Sequence, residues 1–162
     1  MSRKKSVEAR ASRRDAARLS AVQALYQMEA AGQAAEDVVA EFLAHRIGAE
    51  DGANGGGGAD ADPDLFRRLV GAAVNWQARI DQATDRALVA AWPLNRIDPV
   101  LRAIFRAAGA ELVLAETPPR AVLGGFVDIA RWFCGEGPET GFVNAVLEHM
   151  ARDMAPDAFA SA

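Results

Sequence analysis

The sequence has few of the residues that enzyme active sites use. It contains one cysteine, Cys134, two histidines, His45 and His149, and no serine between Ser20 and Ser161. A hydrolytic Ser–His or Cys–His pair is therefore hard to place, and the histidines and the cysteine lack zinc-ligand spacing. We expect a protein that is not an enzyme and needs no metal or cofactor, with a Cys134 thiol that behaves as a small buried hydrophobe.

Long apolar runs are also missing. Charged residues interrupt every apolar stretch before the roughly 18 residues that a membrane-spanning helix needs. Glu8, Arg10 and Asp15 stand where a signal peptide would have its apolar segment. These absences predict a cytoplasmic protein with no membrane association, and the length of 162 residues fits one domain.

Lysine is rare, since Lys4 and Lys5 are the only two, yet the first 18 residues are strongly basic. They contain seven basic and two acidic side chains, a net charge of +5 in a chain whose formal net charge is −4. The rest of the chain therefore has a net charge of −9. Such an asymmetry is typical of a basic segment that meets a polyanion, attached to an acidic body that does not.

The pattern of turn residues predicts an all-α fold. It divides the chain into about six or seven segments of helical length, and none alternates apolar and polar residues as a half-buried strand does. The first helix is predicted to begin near Ser12, which forms a capping pattern with Asp15, and to end at Gly32. Asp62-Pro63 and Asp98-Pro99 are typical helix starts. The other helices are predicted at residues 35–46, 63–92 with a break near Asn75, 99–117, 120–133 and 140–154.

The same pattern suggests three parts. Residues 1–11 are predicted to form a flexible basic arm, residues 12–154 a single helical domain, and residues 155–162 a tail. Within the domain, residues 48–62 include four consecutive glycines and several acids. We expect that segment to be a flexible loop because it is too polar and too rich in glycine to pack.

Four arginines near the start of the first helix form the main candidate site. Arg10, Arg14 and Arg18 are four residues apart, which places them on one side of a helix, and Arg13 flanks them. Positive charges at a helix N-terminus oppose its dipole by about 0.3–1 kcal/mol each, so folding does not favour this arrangement. Guanidinium groups suit phosphate, and we predict a basic ridge that binds RNA. A solvated start that only aids solubility is the alternative.

Two aromatic residues flank the glycine-containing turn before the last helix. Unpaired RNA bases stack on exposed aromatic rings, which makes Phe133 and Phe142 candidates for base binding. Their spacing also fits a core position, because Phe142, Val146 and Met150 form an apolar stripe at helical intervals. Both interpretations stay open at this point.

Several motifs resemble the NusB family of bacterial transcription antitermination factors. The two most specific are an Ala-Val-Gln-Ala-Leu-Tyr segment at 21–26, which follows the arginines, and a Phe-Val-Asn-Ala-Val-Leu segment at 142–147. Motifs between them follow the family's order and spacing, so the resemblance covers roughly residues 10–152. It implies a compact all-α fold of two small helical bundles.

The resemblance also implies a function and a set of contacts. NusB proteins bind the single-stranded boxA element of ribosomal RNA transcripts together with NusE, a small-subunit ribosomal protein, and help RNA polymerase to resist termination. The resemblance assigns RNA binding to Arg10, Arg13, Arg14, Arg18, Gln23, Arg106, Phe133 and Phe142, and partner binding to Tyr26 and Leu101. An exposed apolar helix face would also suit a homodimer.

Some positions depart from the family pattern. Asp15 and Ala16 replace basic residues of the family's arginine-rich segment, and Gly124-Gly125 lies inside a predicted helix. These departures favour an alternative, a paralogue with the same fold that binds proteins and has lost or altered its RNA binding. A third hypothesis is the related helical domain of ribosomal RNA methyltransferases, which needs a fused catalytic domain, and this chain is expected to be too short for one.

Overall fold

The computed structural model describes residues 3–47, 60–88 and 97–159, apart from the side chains of residues 5–10. In these ranges the chain forms helices and no strand, which confirms the all-α prediction. Of the helices in these ranges, none is both long enough and apolar enough to cross a membrane. The helices are α1 (Arg3–Ala31), α2 (Ala35–His45), α3 (Pro63–Asn75), α4 (Gln77–Ala87), α5 (Pro99–Leu114), α6 (Pro119–Cys134) and α7 (Pro138–Met154), followed by a 3₁₀ turn at Pro156–Ala158.

Local capping explains why two helices begin where the sequence predicts. The Asp98 carboxylate accepts a hydrogen bond from the Val100 N–H at 2.7 Å, at the start of α5. At the start of α3, the Asp62 carboxylate accepts hydrogen bonds from the next free amide groups. In both cases proline occupies the first helical position, where its missing N–H costs nothing. The predicted break near Asn75 is confirmed, whereas the predicted end of that segment at Trp92 lies outside the described residues.

The predicted start of the first helix near Ser12 is wrong. Helix α1 begins at Arg3, so Ser12 lies in its interior and caps nothing. Residues 3–11 contain neither glycine nor proline, and most of them favour helices, so no local signal stops the helix from extending further. The boundary predicted at residue 12 therefore falls inside α1. The predicted flexibility of residues 1–11 stays a prediction, and the predicted loop at 48–62 lies outside the described residues except for its last three.

The chain divides into two compact units, Met1–Gly71 and Ala72–Ala162. In the first unit, α1 contacts α2, and the Phe42 ring of α2 stacks on the Phe66 ring of α3 with their centroids 5.5 Å apart. The Asp62 N–H donates a hydrogen bond to the carbonyl oxygen of Arg13 at 3.1 Å. This bond fixes the start of α3 against the middle of α1.

The second unit is a bundle in which α5 contacts α4, α6 and α7. Gly109 allows a close approach between α5 and α4, because a Cβ atom at this position would overlap the Ile80 side chain. The Thr84 hydroxyl of α4 donates a hydrogen bond to the Ile80 carbonyl and lies 3.6 Å from the Met150 sulfur of α7. Fully buried side chains fill this unit, among them Ile104, Phe105, Phe126 and Leu147.

An ion pair joins α4 to α7. The Arg86 guanidinium donates a hydrogen bond to the Asp153 carboxylate at 2.7 Å, and this bond lowers the pKa of Asp153 below its ordinary value. A carboxyl group whose pKa is lower in the folded protein stabilises the fold above its unfolded pKa, about 3.9 for aspartate. That stabilisation is lost as the pH falls through the folded pKa.

Replacing Asp153 with asparagine should therefore produce a small, pH-dependent loss of stability. We expect the variant to be less stable than the parent protein at pH 7, and the difference to shrink as the pH falls from about 4 through the lowered folded pKa of Asp153, below which the parent carboxyl is also neutral. Urea unfolding followed by circular dichroism at several pH values measures this difference. The exposed Asp85 of α4 is a suitable control, and a difference for Asp153→Asn that persists unchanged at low pH would refute the role of the charge.

Candidate nucleic-acid interface

The first half of α1 contains the densest group of basic side chains in the described part of the chain. Arg3, Lys4 and Arg13 are exposed, and Arg14 is half-buried. The predicted ridge also includes Arg10, whose side chain lies outside the described residues. These cations belong to a chain that is otherwise acidic. The first half of α1 is therefore where an anionic ligand meets the most favourable charge.

Arg18 does not belong to an outward-facing ridge. Its residue surface is only 5 % exposed, and its guanidinium binds the Asp15 carboxylate at 2.8 Å. The spacing of four residues correctly places Arg14 and Arg18 on the same side of the helix. The buried face of α1, which includes Ala17, Ala21 and Val22, is wide enough to reach that side. Arg18 lies at the edge of that face and is covered. The predicted contact of Arg18 with RNA phosphate therefore has little support from its position.

Arg13 also lies at a cleft in the first unit, which we call the α1–α3 cleft. The cleft has a volume of about 490 Å³. Its second basic side chain is the exposed Arg67 of α3, which the sequence analysis did not single out. The lining residues are Arg13, Leu43, Ile47, Asp60, Ala61, Pro63 and Arg67.

The two residues predicted to bind a protein partner differ in their exposure. Tyr26 of α1 is 42 % exposed, and the neighbouring Gln23, predicted to bind RNA, is half-buried. Leu101 of α5 is only 9 % exposed. The Tyr26 ring therefore offers a surface for contact with a partner, whereas the Leu101 side chain packs mainly within its own chain.

Arg106, predicted to bind RNA, forms a two-pronged ion pair within the second unit. Its Nε and one terminal nitrogen donate hydrogen bonds to the two oxygens of Asp81 at 3.1 and 3.0 Å. Both side chains are largely buried between α5 and α4. The position of Arg106 thus points to a structural role in joining these helices, and an RNA contact through this residue stays a prediction.

Exposed aromatic rings lie at the end of α6. Phe133 is 40 % exposed, which excludes the core position that its spacing allowed, and Trp132 is 63 % exposed. The two rings meet edge to face with centroids 4.8 Å apart. Phe142 is half-buried. Trp132 was not predicted as a site residue from the sequence. A signal for its exposure was present, because its position lies off the apolar stripe of α6 that runs through Phe126, Ile129 and Ala130.

The ionised groups beside these rings include one cation and two carboxylates, a net charge of −1. The Arg131 guanidinium binds the Asp128 carboxylate at 2.8 Å and lies 3.7 Å from a Glu136 carboxylate oxygen. The α6 end is therefore suited to stacking rather than to binding phosphate by charge.

Cys134, at the last position of α6, is half-buried rather than fully buried as expected. Burial, together with a hydrogen bond to Glu139, raises the pKa of the Cys134 thiol, so the thiol is mostly protonated at neutral pH. Among the residues that the structure describes, no group of three or more His, Cys, Asp or Glu side chains is placed to hold a metal ion.

Comparison with known proteins assigns the chain to a family. The sequence model of the NusB family matches residues 15–152. The chain belongs to the NusB family. A protein of Rhodopseudomonas palustris (strain BisB18) named transcription antitermination protein NusB is 45 % identical over 153 residues, which are 94 % of this chain and 89 % of that protein.

Solved structures confirm the NusB fold. T. maritima NusB superimposes with a TM-score of 0.70 and 23 % identity, over 90 % of this chain and 96 % of the other. A chain from a complex of antitermination factors NusB and NusE with dsRNA superimposes with a TM-score of 0.67 and 24 % identity, over 90 % and 98 % of the two chains. The two compact units agree with the two helical bundles expected of this fold.

Two of the departures from the NusB pattern have a structural setting. Asp15 is the partner of Arg18, so it neutralises one of the arginines that the family resemblance assigns to RNA. Gly124 is exposed within α6, and a Cβ atom there would meet nothing within 4 Å. No close contact therefore requires glycine at position 124.

Proposed function

We propose that the chain is a non-catalytic transcription antitermination factor of the cytoplasm. It binds single-stranded boxA-type RNA of ribosomal RNA transcripts together with NusE, and acts on RNA polymerase indirectly through that complex. The observation that supports this proposal most is the group of exposed and half-exposed cations on the first half of α1, which includes Arg13 and Arg14. Homology to proteins named transcription antitermination protein NusB points the same way.

The charge distribution favours binding of RNA by its backbone. A polyanion is repelled by most of this acidic chain and attracted by the first 18 residues, whose net charge is +5. Each arginine that neutralises a phosphate of a single strand contributes about −0.7 to the slope of log affinity against log salt. Arg18 is held by Asp15, and the other three predicted arginines, Arg10, Arg13 and Arg14, are the ones proposed to contact phosphate, which gives a slope near −2 for α1 alone.

Aromatic stacking adds to this contact. Bases of single-stranded RNA stack on exposed rings with little dependence on sequence. Phe133 and Phe142 are the predicted rings, and the exposed Trp132 beside Phe133 extends the available surface. Stacking depends weakly on salt, so it raises the affinity without changing the slope that the arginines determine.

The proposed protein partner is NusE. A related NusB forms a complex with NusE and dsRNA. Here the exposed Tyr26 is the residue proposed to contact NusE, since tyrosine is enriched at protein interfaces and can combine apolar contact with a hydrogen bond. Leu101, the other residue predicted to bind the partner, is buried within its own unit, so its position gives little support to a direct contact with NusE.

Binding of a fluorescent boxA-like single strand, with and without NusE and at two salt concentrations, tests the proposed function. We expect the chain to bind the RNA alone, to bind it more tightly with NusE present, and to lose affinity steeply as the salt concentration rises. The alternative function, a protein-interaction module, is favoured by the Asp15–Arg18 pair, which removes one cation from the RNA site. Tight NusE binding without any measurable RNA binding would establish that alternative and refute the proposal.

A further inference from the structure

The α1–α3 cleft combines two kinds of surface. The half-buried Leu43 and Pro63 contribute most of its apolar surface, with the buried Ile47 and Ala61 behind them, whereas the basic side chains are those of Arg13 and Arg67. The volume of about 490 Å³ lies within the range of roughly 300–1,000 Å³ typical of small-molecule sites. An apolar surface beside two cations suits a ligand that has both an apolar part and an anionic part.

The backbone fixes Arg13 and Arg67 relative to each other. The Asp62 N–H donates a hydrogen bond to the Arg13 carbonyl at 3.1 Å, and the Asp62 carboxylate caps α3, whose second turn contains Arg67. Phe66, next to Arg67 in the chain, stacks on Phe42 and holds the same turn of α3 in the core. The two arginines therefore project from a rigid frame.

The cleft has an excess of positive charge. Arg13 and Arg67 are both exposed, and within residues 3–47, 60–88 and 97–159 no carboxylate whose side chain is described forms a salt bridge with either of them. Asp60 is the single acidic residue of the lining, so the two guanidinium groups leave a net charge of +1. The adjacent Arg68 differs, since it is half-buried and lies 3.8 Å from the Asp64 carboxylate.

We propose that the α1–α3 cleft receives one nucleotide of the bound RNA and that Arg67 is a further RNA-binding residue. The phosphate lies against Arg13 and Arg67, whose planar guanidinium groups pair well with its oxygens. The base or ribose lies on the apolar surface that the half-buried Leu43 and Pro63 offer. This inference rests on the proposed function and extends the RNA path from α1 onto α3. With Arg67 included, the expected salt slope of the parent protein is near −3.

Replacing Arg67 with alanine tests the inference on the full-length chain. One lost phosphate contact should weaken binding of a labelled boxA-like single strand about fivefold at roughly 0.1 M salt and make the salt slope less steep by about 0.7. Arg67→Lys keeps the charge and should retain the slope while losing part of the affinity. Arg120→Ala removes an exposed arginine of α6 with the same change in net charge, and should leave both quantities within twofold of the parent.

The outcomes separate this inference from the proposed function. If Arg67→Ala behaves like Arg120→Ala while loss of Arg13 and Arg14 weakens binding, the cleft takes no nucleotide and the RNA function stands. A loss of affinity with an unchanged slope also overturns the inference, because it would not arise from a phosphate contact. If the parent protein does not bind RNA at all, both the inference and the proposed function fail.

Discussion

The variant Arg13→Ala/Arg14→Ala is expected to bind boxA-like RNA about 25-fold more weakly than the parent protein at roughly 0.1 M salt. Each lost phosphate contact removes about 0.7 from the salt slope, which corresponds to about fivefold at this concentration, and the two contacts multiply. The slope should therefore become less steep by about 1.4. The measurement is the anisotropy of a labelled single strand over a series of salt concentrations.

The matched control is Arg79→Ala/Arg120→Ala, which removes two exposed arginines from the second unit and changes the net charge equally. We expect this control to bind RNA within twofold of the parent. Because Arg14 is half-buried, thermal unfolding of the Arg13→Ala/Arg14→Ala variant should be measured beside its RNA binding. Equal losses in the two double variants would mean that the RNA responds to overall charge, and no loss in either would exclude α1 as the RNA site.

Gly109→Ala is expected to lower the free energy of unfolding by about 2 kcal/mol. Gly109 is buried in α5, and a Cβ atom there would overlap the branched side chain of Ile80, which is itself fully buried. Because packed interiors contain few voids, relieving this overlap requires α4 and α5 to separate or a side chain to leave its preferred rotamer. Alanine's higher helix propensity, worth about 1 kcal/mol, offsets only part of this cost.

Gly124→Ala is the matched control for that prediction. It makes the same change inside a helix, but in open space, so we expect it to raise the free energy of unfolding by about 0.5–1 kcal/mol. Chemical denaturation followed by circular dichroism measures both variants. A Gly109→Ala protein as stable as the Gly124→Ala protein would show that α4 and α5 do not approach closely at this position.

Helix starts were predictable where the signal is local. At Asp98-Pro99 and Asp62-Pro63, the capping carboxylate, the proline and the amide groups that the carboxylate binds lie within four residues. The sequence alone therefore locates these two helix starts. The start assigned to Ser12 failed because a serine followed three residues later by an acid also fits a helix interior. The true start at Arg3 is decided by the lack of any residue that stops the helix.

The candidate site was harder to predict because it depends on burial. Spacing placed Arg14 and Arg18 on one side of α1, yet the periodicity of one helix does not show how far its neighbours cover that side. Arg106 pairs with Asp81 from another helix, 25 residues away in the sequence, and no motif marks this pairing. The exposure of Trp132 and the position of Arg67 at the α1–α3 cleft likewise follow from tertiary packing.

Asp15 shows how a departure from a family pattern can have two effects. It lowers the positive charge of the arginine-rich segment, and its carboxylate also binds the buried Arg18 at 2.8 Å. Introducing arginine at position 15 would add a phosphate-binding group and at the same time remove a salt bridge. A gain in RNA affinity from Asp15→Arg is therefore best interpreted beside a measurement of its stability.

The most direct test of RNA binding by α1 is an NMR titration of the ¹⁵N-labelled protein with a boxA-like single strand. If the cationic half of α1 is the docking surface, the backbone amide signals of residues 10–18 shift in proportion to the bound fraction, and these shifts weaken as salt is added. Shifts confined to other helices, with the amide signals of α1 unchanged at saturating RNA, would contradict the proposed interface.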